Sequence, residues 1–599
     1  MENKLISEIS IEQKEILHFA SFSLNQAFND HHYFELRFNH DQMGAPGLIN
    51  LDDSRDFVGK TLTASFGYTS GKMQQFAGLV TRVELAQSHG YHGVLVVSGY
   101  SPTILIDRGP DLGSYLDKDL NTIVKLATKD TPANDLTISA NAARKTPIDY
   151  LIQYRESDFD FLNRLSGEYH EWFFYDGKQL NFGKPDQQKE VALFYGRDVQ
   201  NLQYAMEVSP IKYKRFAYNP KENEMLQSES AGKADGNPDL AHAIKASNAM
   251  YSKTFNQPSL IRVDNGSDIK NHVENEEKAH ISELLKVNAT GDNAELAIGT
   301  LAEITMSLRK ELSFATESLG KFLITKISHN IDGTGKYHNT FEGVVATTER
   351  LIVKNYEKPN PDMQLADVVD NNDPQGHGRI KVKFKWECQT NDVTEWLRVI
   401  TPDAGSSDKV SKNRGFVFIP EIGDQVAVTF EEGNIARPIV LGSVFHGKSG
   451  SGGSASNNSK SLTSKSGHTV QLDDGGGMLF KDKTGLNHIS IDGKNAITVT
   501  TDNNIKLQTG NVMIIMDKET DKIIIQAKNI EVRAADDFKL TGDGAPSKNG
   551  SMEFNTKLSI VSKNELSLNG ETLASLNGKD VNIVGSKTII DGSPVKINS

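Results

Sequence analysis

The chain has 599 residues, too many for one hydrophobic core, and at roughly 100 to 200 residues per domain this length predicts about three to four domains. Its net charge of −13, from 65 basic and 78 acidic residues, argues against a general nucleic-acid binder, which needs clustered lysines and arginines. The single cysteine, Cys388, excludes an intramolecular disulfide and any cysteine-based zinc site.

The first ten residues lack the apolar core of a secretory signal. Nowhere does the sequence approach the ~20 consecutive apolar residues of a membrane-spanning helix. We therefore expect the protein to be made in the cytoplasm without a signal peptide, and any export to use another route.

Residues 1 to about 130 have the pattern of a mostly β region, with alternation in Tyr33–Phe38 and an apolar run in Gly93–Val97. From Pro147 to about Tyr169 the spacing becomes helical and predicts a helix that carries Ile148, Leu151, Ile152, Phe159, Leu162 and Leu165. Next, the strand-like segments 172–175 and 180–182 flank Asp176-Gly177, which predicts a hairpin.

Residues 220–258 are polar and weakly patterned, with a helical stretch from Leu240 to Ala249, and we interpret them as an excursion over the surface. A second helix is predicted over Ile269–Leu285. Strands follow at about 296–305, 319–327 and 337–346, and Asp332-Gly333 is the predicted turn between the last two.

A compact β module is predicted over residues 359–446. Arg379–Trp386 alternates almost perfectly, with Ile380, Val382, Phe384 and Trp386 on one face. Further strands are predicted at 396–400, 415–419, 425–430 and 439–444, and five strands in this length are typical of a small five-stranded barrel of OB type. The Gly/Ser-rich segment 447–466 then has the composition of a flexible linker.

The last part of the chain, 467–599, contains a strand repeat. From Leu486 on, apolar residues recur as i, i+2 pairs about every seven or eight residues: Ile489/Ile491, Ile497/Val499, Ile505/Leu507, Val512/Ile514, Ile523/Ile525, Ile530/Val532, Phe538/Leu540, Met552/Phe554, Leu558/Ile560, Leu566/Leu568, Val581/Ile583, Thr588/Ile590 and Val595/Ile597. Such a pair places both side chains on one face of a strand. No single repeat can bury that face alone, so neighbouring repeats must stack.

Layer counting favours three chains over one. If one chain formed the β-helix alone, each turn would use three of its about fourteen strands. At ~4.8 Å per layer the result would be a stub only ~20 to 25 Å tall. Three intertwined chains would reach ~65 to 70 Å at the same layer spacing. The sequence therefore favours an intertwined triple-stranded β-helix, with a short single-chain solenoid as the plainer alternative.

The usual catalytic and cofactor motifs are missing from the sequence, including the nucleophile elbow, the HExxH zinc motif, the P-loop and the dinucleotide fingerprint. The nearest approach to a calcium loop, around Asn330, Asp332 and Gly333, lacks an acidic first ligand and has Asn339 in place of the bidentate Glu. The carboxylate pairs Asp158/Asp160 and Glu431/Glu432 are not tied to a base, and the neighbours His31 and His32 should point to opposite faces. We expect no catalytic residue, cofactor or metal site.

Three segments resemble the VgrG proteins of type VI secretion systems, a family similar to the hub and needle of contractile phage tails. They are Gln153–Phe174, with its Tyr-Arg-Glu-Ser-Asp run, the barrel motif made of Gly378–Phe384 with Trp386 and of Arg414–Val426, and Arg437–Gly442. They occur in the order in which the family has them.

The resemblance implies a mainly β fold with some α. Residues 1–358 would form a hub of two barrel-like subdomains with helical connections, 359–446 the OB-fold barrel and 467–599 the needle. It also implies a non-enzymatic homotrimer whose hub docks on an Hcp-type tube protein and is held by baseplate components. The needle tip would carry a PAAR-type protein, with effector toxins delivered alongside, and the assembly would be exported into the extracellular space or a target cell.

Two alternatives remain open, a spike of a phage tail or extracellular contractile injection system, and a polysaccharide-binding or polysaccharide-active β-helix. The second alternative has little support, because carbohydrate stacking needs aromatic side chains and Phe538 and Phe554 are the only aromatic residues between Leu486 and Ser599. Candidate residues for docking the PAAR-type partner are Pro594, Val595 and Ile597, because the last layer of a β-helix leaves strand edges uncovered. Since the sequence ends at Ser599 close to the last repeat, we expect no appended enzyme.

Overall fold

A computed structural model describes residues 4–39, 54–87, 93–132, 134–233, 238–310, 313–347, 349–388, 393–450, 452–453, 455–541, 551–570 and 573–592. The chain divides into two compact units, Met1–Lys460 and Ser461–Ser599. Below, the hub segment means residues 1–358 and the barrel means residues 359–446, both within the first unit. In the described part of the chain, none of the helices combines the length and the apolar character needed to cross a membrane.

The hub segment is built mainly from strands, with four helices between them. The strands are β1 Leu5–Ile11, β2 Lys14–Glu15, β3 Ser21–Ala27, β4 Tyr33–Asn39, β5 Thr61–Tyr68, β6 Gln74–Gln87, β7 Gly93–Tyr100, β8 Asp111–Lys118, β9 Thr137–Ala140, β10 Ile148–Glu156, β11 Phe173–Tyr175, β12 Gln179–Phe182, β13 Glu190–Phe194, β14 Val199–Met206, β15 Tyr213–Asn219, β16 Glu224–Glu229, β17 Phe255–Pro258, β18 Leu285–Gly291, β19 Leu301–Lys310, β20 Ser313–Asp332 and β21 Tyr337–Val345. The helices are α1 Leu120–Ala127, α2 Asp158–Tyr169, α3 Pro238–Met250 and α4 Gly266–Ser282.

One thirteen-stranded sheet organises the hub segment. Its main path runs β14-β18-β21-β20-β3-β4-β7-β6-β5-β1-β2, with β13 and β19 attached through β20. The antiparallel pairing of β3 with β20 joins two groups of strands in this sheet. Strands β1–β7 lie on one side of this joint, and β13, β14 and β18–β21 lie on the other. Two large apolar cores pack against the sheet, one around Phe22, Phe34 and Phe66 and the other around Ile304 and Phe322.

Several predictions from the sequence are confirmed here. The segments 33–38 and 93–97 lie in β4 and β7, and β11 and β12 form the hairpin around Asp176-Gly177. Helix α4 covers most of the predicted helix 269–285 but ends at Ser282, and Leu285 begins β18. The Asp332-Gly333 turn connects β20 and β21.

The helix predicted from Pro147 onward is wrong in its first half, where residues 148–156 form β10. Nearly every residue of β10 is buried, because the strand packs on both faces. Adjacent apolar residues on a doubly buried strand imitate helical spacing. The helix begins only at Asp158, where the Ser157 hydroxyl accepts a hydrogen bond from the Asp160 amide at 3.1 Å.

Residues 220–258 contain β16, α3 and β17, and β15 pairs with both strands. Leu240 and Ala243 of α3 are fully buried in a small core with Ile281 and Leu285. This segment is therefore packed against the rest of the hub segment through α3.

The barrel contains β22 Gln364–Asp370, β23 Lys381–Phe384, β24 Ala404–Gly405, β25 Arg414–Gly415, β26 Gln425–Phe430 and β27 Pro438–Ser443. Four of these form the sheet β23-β22-β26-β27. The predicted strand 396–400 contributes only isolated bridges from Leu397 and Val399, and the one predicted at 415–419 is paired no further than Gly415. Strand β22 was not among the strands predicted for this module.

The second unit begins with strands that follow one another closely. They are β28 Ser459–Thr463, β29 Thr469–Asp473, β30 Met478–Lys481, β31 His488–Ile491, β32 Ile497–Thr500, β33 Asn504–Thr509, β34 Val512–Asp517 and β35 Lys522–Gln526. Strands β28–β32 form one sheet and β33–β35 another, and strands β29 onward pair antiparallel with their sequence neighbours. Strand β28 lies inside the predicted linker, so the stretch without regular structure is shorter than predicted.

The repeat pairs from Ile489/Ile491 to Ile523/Ile525 lie in strands, as predicted. From Lys528 on, the described residues 528–541, 551–570 and 573–592 contain no strand. The ladder hydrogen bonds within each of the two sheets are made between strands of the same chain.

Candidate functional site

Strand β10 joins the hub segment to the barrel. Leu151 belongs to the hub core, whereas its neighbours Tyr150 and Ile152, together with Tyr154, belong to the barrel core with Val368, Val382 and Val428. Alternate residues of one strand point to opposite faces, so a single strand serves both cores. Because both faces are buried, the barrel is fixed on the hub segment by packing.

A buried charge cluster holds the strand and helix that follow each other at this joint. Arg164 of α2 is 1% exposed, and its guanidinium donates to both carboxylate oxygens of Glu156 at 2.6 and 2.9 Å. It also donates to Glu168 at 3.2 Å and to the Ile152 carbonyl at 2.8 Å. Burial raises the pKa of the Glu168 carboxyl, while the Arg164 charge beside it opposes that rise.

The Tyr-Arg-Glu-Ser-Asp run has a structural role at each position. The Tyr154 hydroxyl accepts from Gln364 of the barrel at 3.1 Å, and Arg155 pairs with Asp362 at 3.1 Å. Glu156 binds Arg164, Ser157 caps α2, and Asp158 accepts from Gln153 and Arg108, each at 3.0 Å. This motif therefore fastens the joint, and no nucleophile or acid–base pair is formed by it.

The segment around β15 and β17 touches the barrel from a second side. Arg262 forms an ion pair with Glu395 of the barrel, and the Arg398 guanidinium lies 5.8 Å from the centre of the Tyr218 ring. A cleft of about 410 Å³ lies between them. Its cations are each matched by a carboxylate: Lys221 by Asp149, Arg379 by Asp373, Arg398 by Glu431 and Arg437 by Glu432. These contacts were missed by the sequence analysis, because no motif marks the two halves of an ion pair 133 residues apart.

In the second unit, the register places the predicted apolar pairs on one face of each sheet. Directly opposed residues of β29–β32 are Val470 and Phe480, Leu472 and Met478, Phe480 and Ile489, Met478 and Ile491, Ile489 and Val499, and Ile491 and Ile497. In the second sheet they are Ile505 and Met516, Leu507 and Ile514, Met516 and Ile523, and Ile514 and Ile525. Opposed residues share a face. We call this set the apolar face.

The apolar face is exposed in the single chain. Ile497 is 71% exposed and Ile523 72%, and Val499, Leu507, Ile514 and Met516 between them are 38 to 58% exposed. A soluble protein rarely leaves so large a contiguous apolar surface uncovered. The face is therefore a candidate interaction surface.

The residues considered for chemistry are engaged in structural contacts. Asp332 accepts hydrogen bonds from the Thr334 and Lys336 amides in a turn, while Ser328 bonds to Asn25. His31 stacks on Phe159 and His32 is buried beside Gln26, so they face different surroundings. Across the described residues, no group of three or more His, Cys, Asp or Glu side chains is placed to hold a metal ion. The predicted tip residues Pro594, Val595 and Ile597 lie outside the described residues.

Comparison with known proteins matches both parts of the first unit. The family described as phage tail baseplate hub (GPD) matches residues 49–334, and the type VI secretion system/phage-baseplate injector OB domain matches residues 364–445. The second match corresponds to the barrel predicted from the strand pattern.

Two curated relatives are similar over longer stretches. The chain is 22% identical over 442 residues to the type VI secretion system spike protein VgrG1a of Pseudomonas aeruginosa, covering 65% of this chain and 62% of that protein. It is 25% identical over 339 residues to the actin cross-linking toxin VgrG1 of Vibrio cholerae, covering 50% of this chain and 28% of that protein. The matches thus span less than two thirds of either relative.

Among solved structures, a chain of the lidless PdpA–VgrG complex matches with a TM-score of 0.51 at 9% identity, over 83% of this chain and 98% of that one. At this identity the likeness concerns the fold alone. Both family matches and the named relatives agree with the resemblance carried by the sequence motifs. The first unit thus matches the phage tail baseplate hub (GPD) and injector OB-domain families, and the chain is similar to type VI secretion system spike proteins of the VgrG family.

Proposed function

We propose that the protein works as a homotrimeric, non-enzymatic spike at the tip of a type VI secretion tube. The observation that carries this proposal is the apolar face of the second unit. Burying its side chains, each worth up to ~1.5 to 3 kcal/mol, would stabilise an assembly by on the order of 10 kcal/mol per chain. Three copies that turn these faces toward one axis cover them completely, and closed cyclic symmetry leaves none unpaired.

The joint between hub segment and barrel supports the mechanical part of the proposal. A spike must pass an axial push from its base to its point without bending at a linker. Strand β10 lies in both cores, and the Arg262–Glu395 pair adds a second contact, so the two modules would move together. These contacts between the hub segment and the barrel are thus suited to transmitting force.

Partners of the proposed spike follow from the family. An Hcp-type tube protein and baseplate components would bind the hub, a PAAR-type protein would sit on the tip, and effectors would travel with them into the extracellular space or a target cell. Deleting residues 594–599 should abolish recruitment of the PAAR-type partner while leaving the oligomeric mass unchanged. Unaltered recruitment would contradict the tip assignment.

A phage-tail or other contractile spike is the second candidate, because the descriptions of both matched families name phage baseplates. Co-purification of the protein with an Hcp-type tube protein encoded in the same genome would favour the type VI assignment. Co-purification with a phage tail-tube protein instead would favour the alternative.

Mass in solution tests the assembly directly. The chain weighs 66.0 kDa, so a trimer has three times that mass, about 198 kDa. Light scattering coupled to size exclusion should give the trimer mass at micromolar concentration. A stable mass of 66.0 kDa at that concentration would refute the proposal.

A further inference from the structure

A short extended segment of the barrel exposes apolar side chains on both of its faces. Phe416, Val417 and Phe418 are 50%, 56% and 61% exposed, and nearby Ile422 is 58% exposed. Ile419, which follows them, is half-buried against the barrel core, so the open apolar surface is that of Phe416, Val417 and Phe418. This pattern differs from β26 of the same barrel, where Val426, Val428 and Phe430 are buried.

The backbone of the same segment lacks partners. The Phe416 amide donates to the Asp403 carbonyl at 2.9 Å, and the Phe416 carbonyl accepts from the Thr401 hydroxyl at 2.8 Å. Beyond it, Val417, Phe418 and Ile419 make no backbone hydrogen bond to any described residue. The ladder that begins at β24 and β25 therefore stops at Phe416.

Sequence and structure disagree at this segment in an informative way. The run Gly-Phe-Val-Phe-Ile has strong strand propensity and was predicted as a strand of the barrel. One chain offers it no neighbouring strand. An open edge of this kind is a template for pairing with another chain.

We propose that residues 416–419 complete their strand pairing against the barrel of a second copy of this chain. This inference rests on the proposed trimer and extends the contact between copies from the second unit to the barrel. The exposed side chains would then be buried between barrels, and the open backbone groups would enter an inter-chain ladder.

The area of this exposed patch favours a second copy of the chain over an unrelated protein as its partner. With aromatic side chains offering ~150 to 250 Å² each, the exposed parts of the four residues amount to roughly 400 Å². A stable interface buries about 800 Å² per partner, so this patch is too small to hold a partner alone. A copy already held through the apolar face supplies the missing area, and tethering brings its barrel to a high effective concentration.

Hydrogen exchange on the full-length protein tests the pairing. In the assembled protein, amides within 417–419 should exchange at least ten-fold more slowly than in a synthetic peptide of the same sequence. If the protein has the trimer mass and these amides exchange at the peptide rate, the inference fails while the proposed function stands. If the protein has the mass of one chain, both fail.

A double variant gives an independent measurement. Phe416→Ser with Phe418→Ser should raise the concentration at which the trimer dissociates by at least ten-fold. The matched control, Leu17→Ser with Val58→Ser, removes two exposed apolar side chains from the hub segment and should leave that concentration unchanged. Equal dissociation of the double variant and the wild type would contradict the inference.

Discussion

His329 on β20 donates a hydrogen bond from Nε2 to the amide oxygen of Gln26 on β3, over 3.2 Å, across the joint between the two parts of the large sheet. The same Gln26 amide donates from Nε2 to His32 Nδ1 at 3.0 Å, and His32 Nε2 donates to the Ala27 carbonyl at 3.3 Å. On the other side, the Tyr337 hydroxyl donates to His329 Nδ1 at 2.8 Å. Each imidazole uses one nitrogen as donor and one as acceptor, so the chain of bonds requires both rings to be neutral.

Acid should therefore destabilise the hub segment at a pH where carboxylates are still ionised. Burial lowers the pKa of His32 and of His329 to about 3, from an ordinary value of 6.5. The unfolded chain binds protons below pH 6.5 while the folded chain does not, so stability falls as the pH drops from 6.5 toward 3. The two rings together should cost up to ~3 kcal/mol per pH unit in this window.

Urea unfolding at pH 7.5, 6.5, 5.5 and 5.0 measures this dependence. His329→Gln, which cannot take up a proton, should remove about half of the slope contributed by the two rings. A variant with the full wild-type slope would contradict the role of His329. His170 and His272, whose pKa values burial lowers to about 3 and about 4, add to the slope in the same direction and serve as a constant background.

Replacing Arg164 with methionine should destabilise the protein strongly. The change leaves two carboxylates, Glu156 and Glu168, buried beside each other without a cation, and breaking such a cluster costs ~3 to 5 kcal/mol. The control Arg82→Ala removes a 70% exposed arginine that pairs with Glu84, and should change stability by less than about 0.5 kcal/mol. Chemical denaturation of both variants gives the comparison. Similar losses in the two variants would rule out a special role for the buried cluster.

Because the hub segment and the barrel share strand β10, we predict that they unfold together. Ile152 lies on the barrel-facing side of β10 and is 1% exposed, so Ile152→Ala leaves a cavity at the joint that costs ~2 to 5 kcal/mol. In calorimetry, the variant should show the barrel melting separately and earlier, whereas the wild type shows one transition for both modules. Val94→Ala, at a 38% exposed position of β7, is the control and should keep the single transition.

The sequence predicted the surfaces of this protein better than its joints. Alternation in Arg379–Trp386 and the i, i+2 pairs of the repeat are local signals, because one face of each strand decides the pattern. Strand β10 was taken for helix because Tyr150 and Leu151 are both buried, each in a different core. The Arg262–Glu395 contact joins residues 133 positions apart, and no local pattern records which distant charge a residue meets.

Substitutions on the two faces of one strand in the second unit distinguish an effect on assembly from an effect on folding. Ile497 belongs to the apolar face, while its neighbour Thr498 points to the opposite side of β32. Ile497→Asp should place a charge inside the proposed trimer and shift the mass from about 198 kDa toward the 66.0 kDa of one chain. Thr498→Asp adds the same charge one residue away and should retain the trimer mass. Loss of the trimer in both variants would point to general unfolding of the sheet, which far-ultraviolet circular dichroism would reveal, and retention in both would contradict burial of the apolar face between chains.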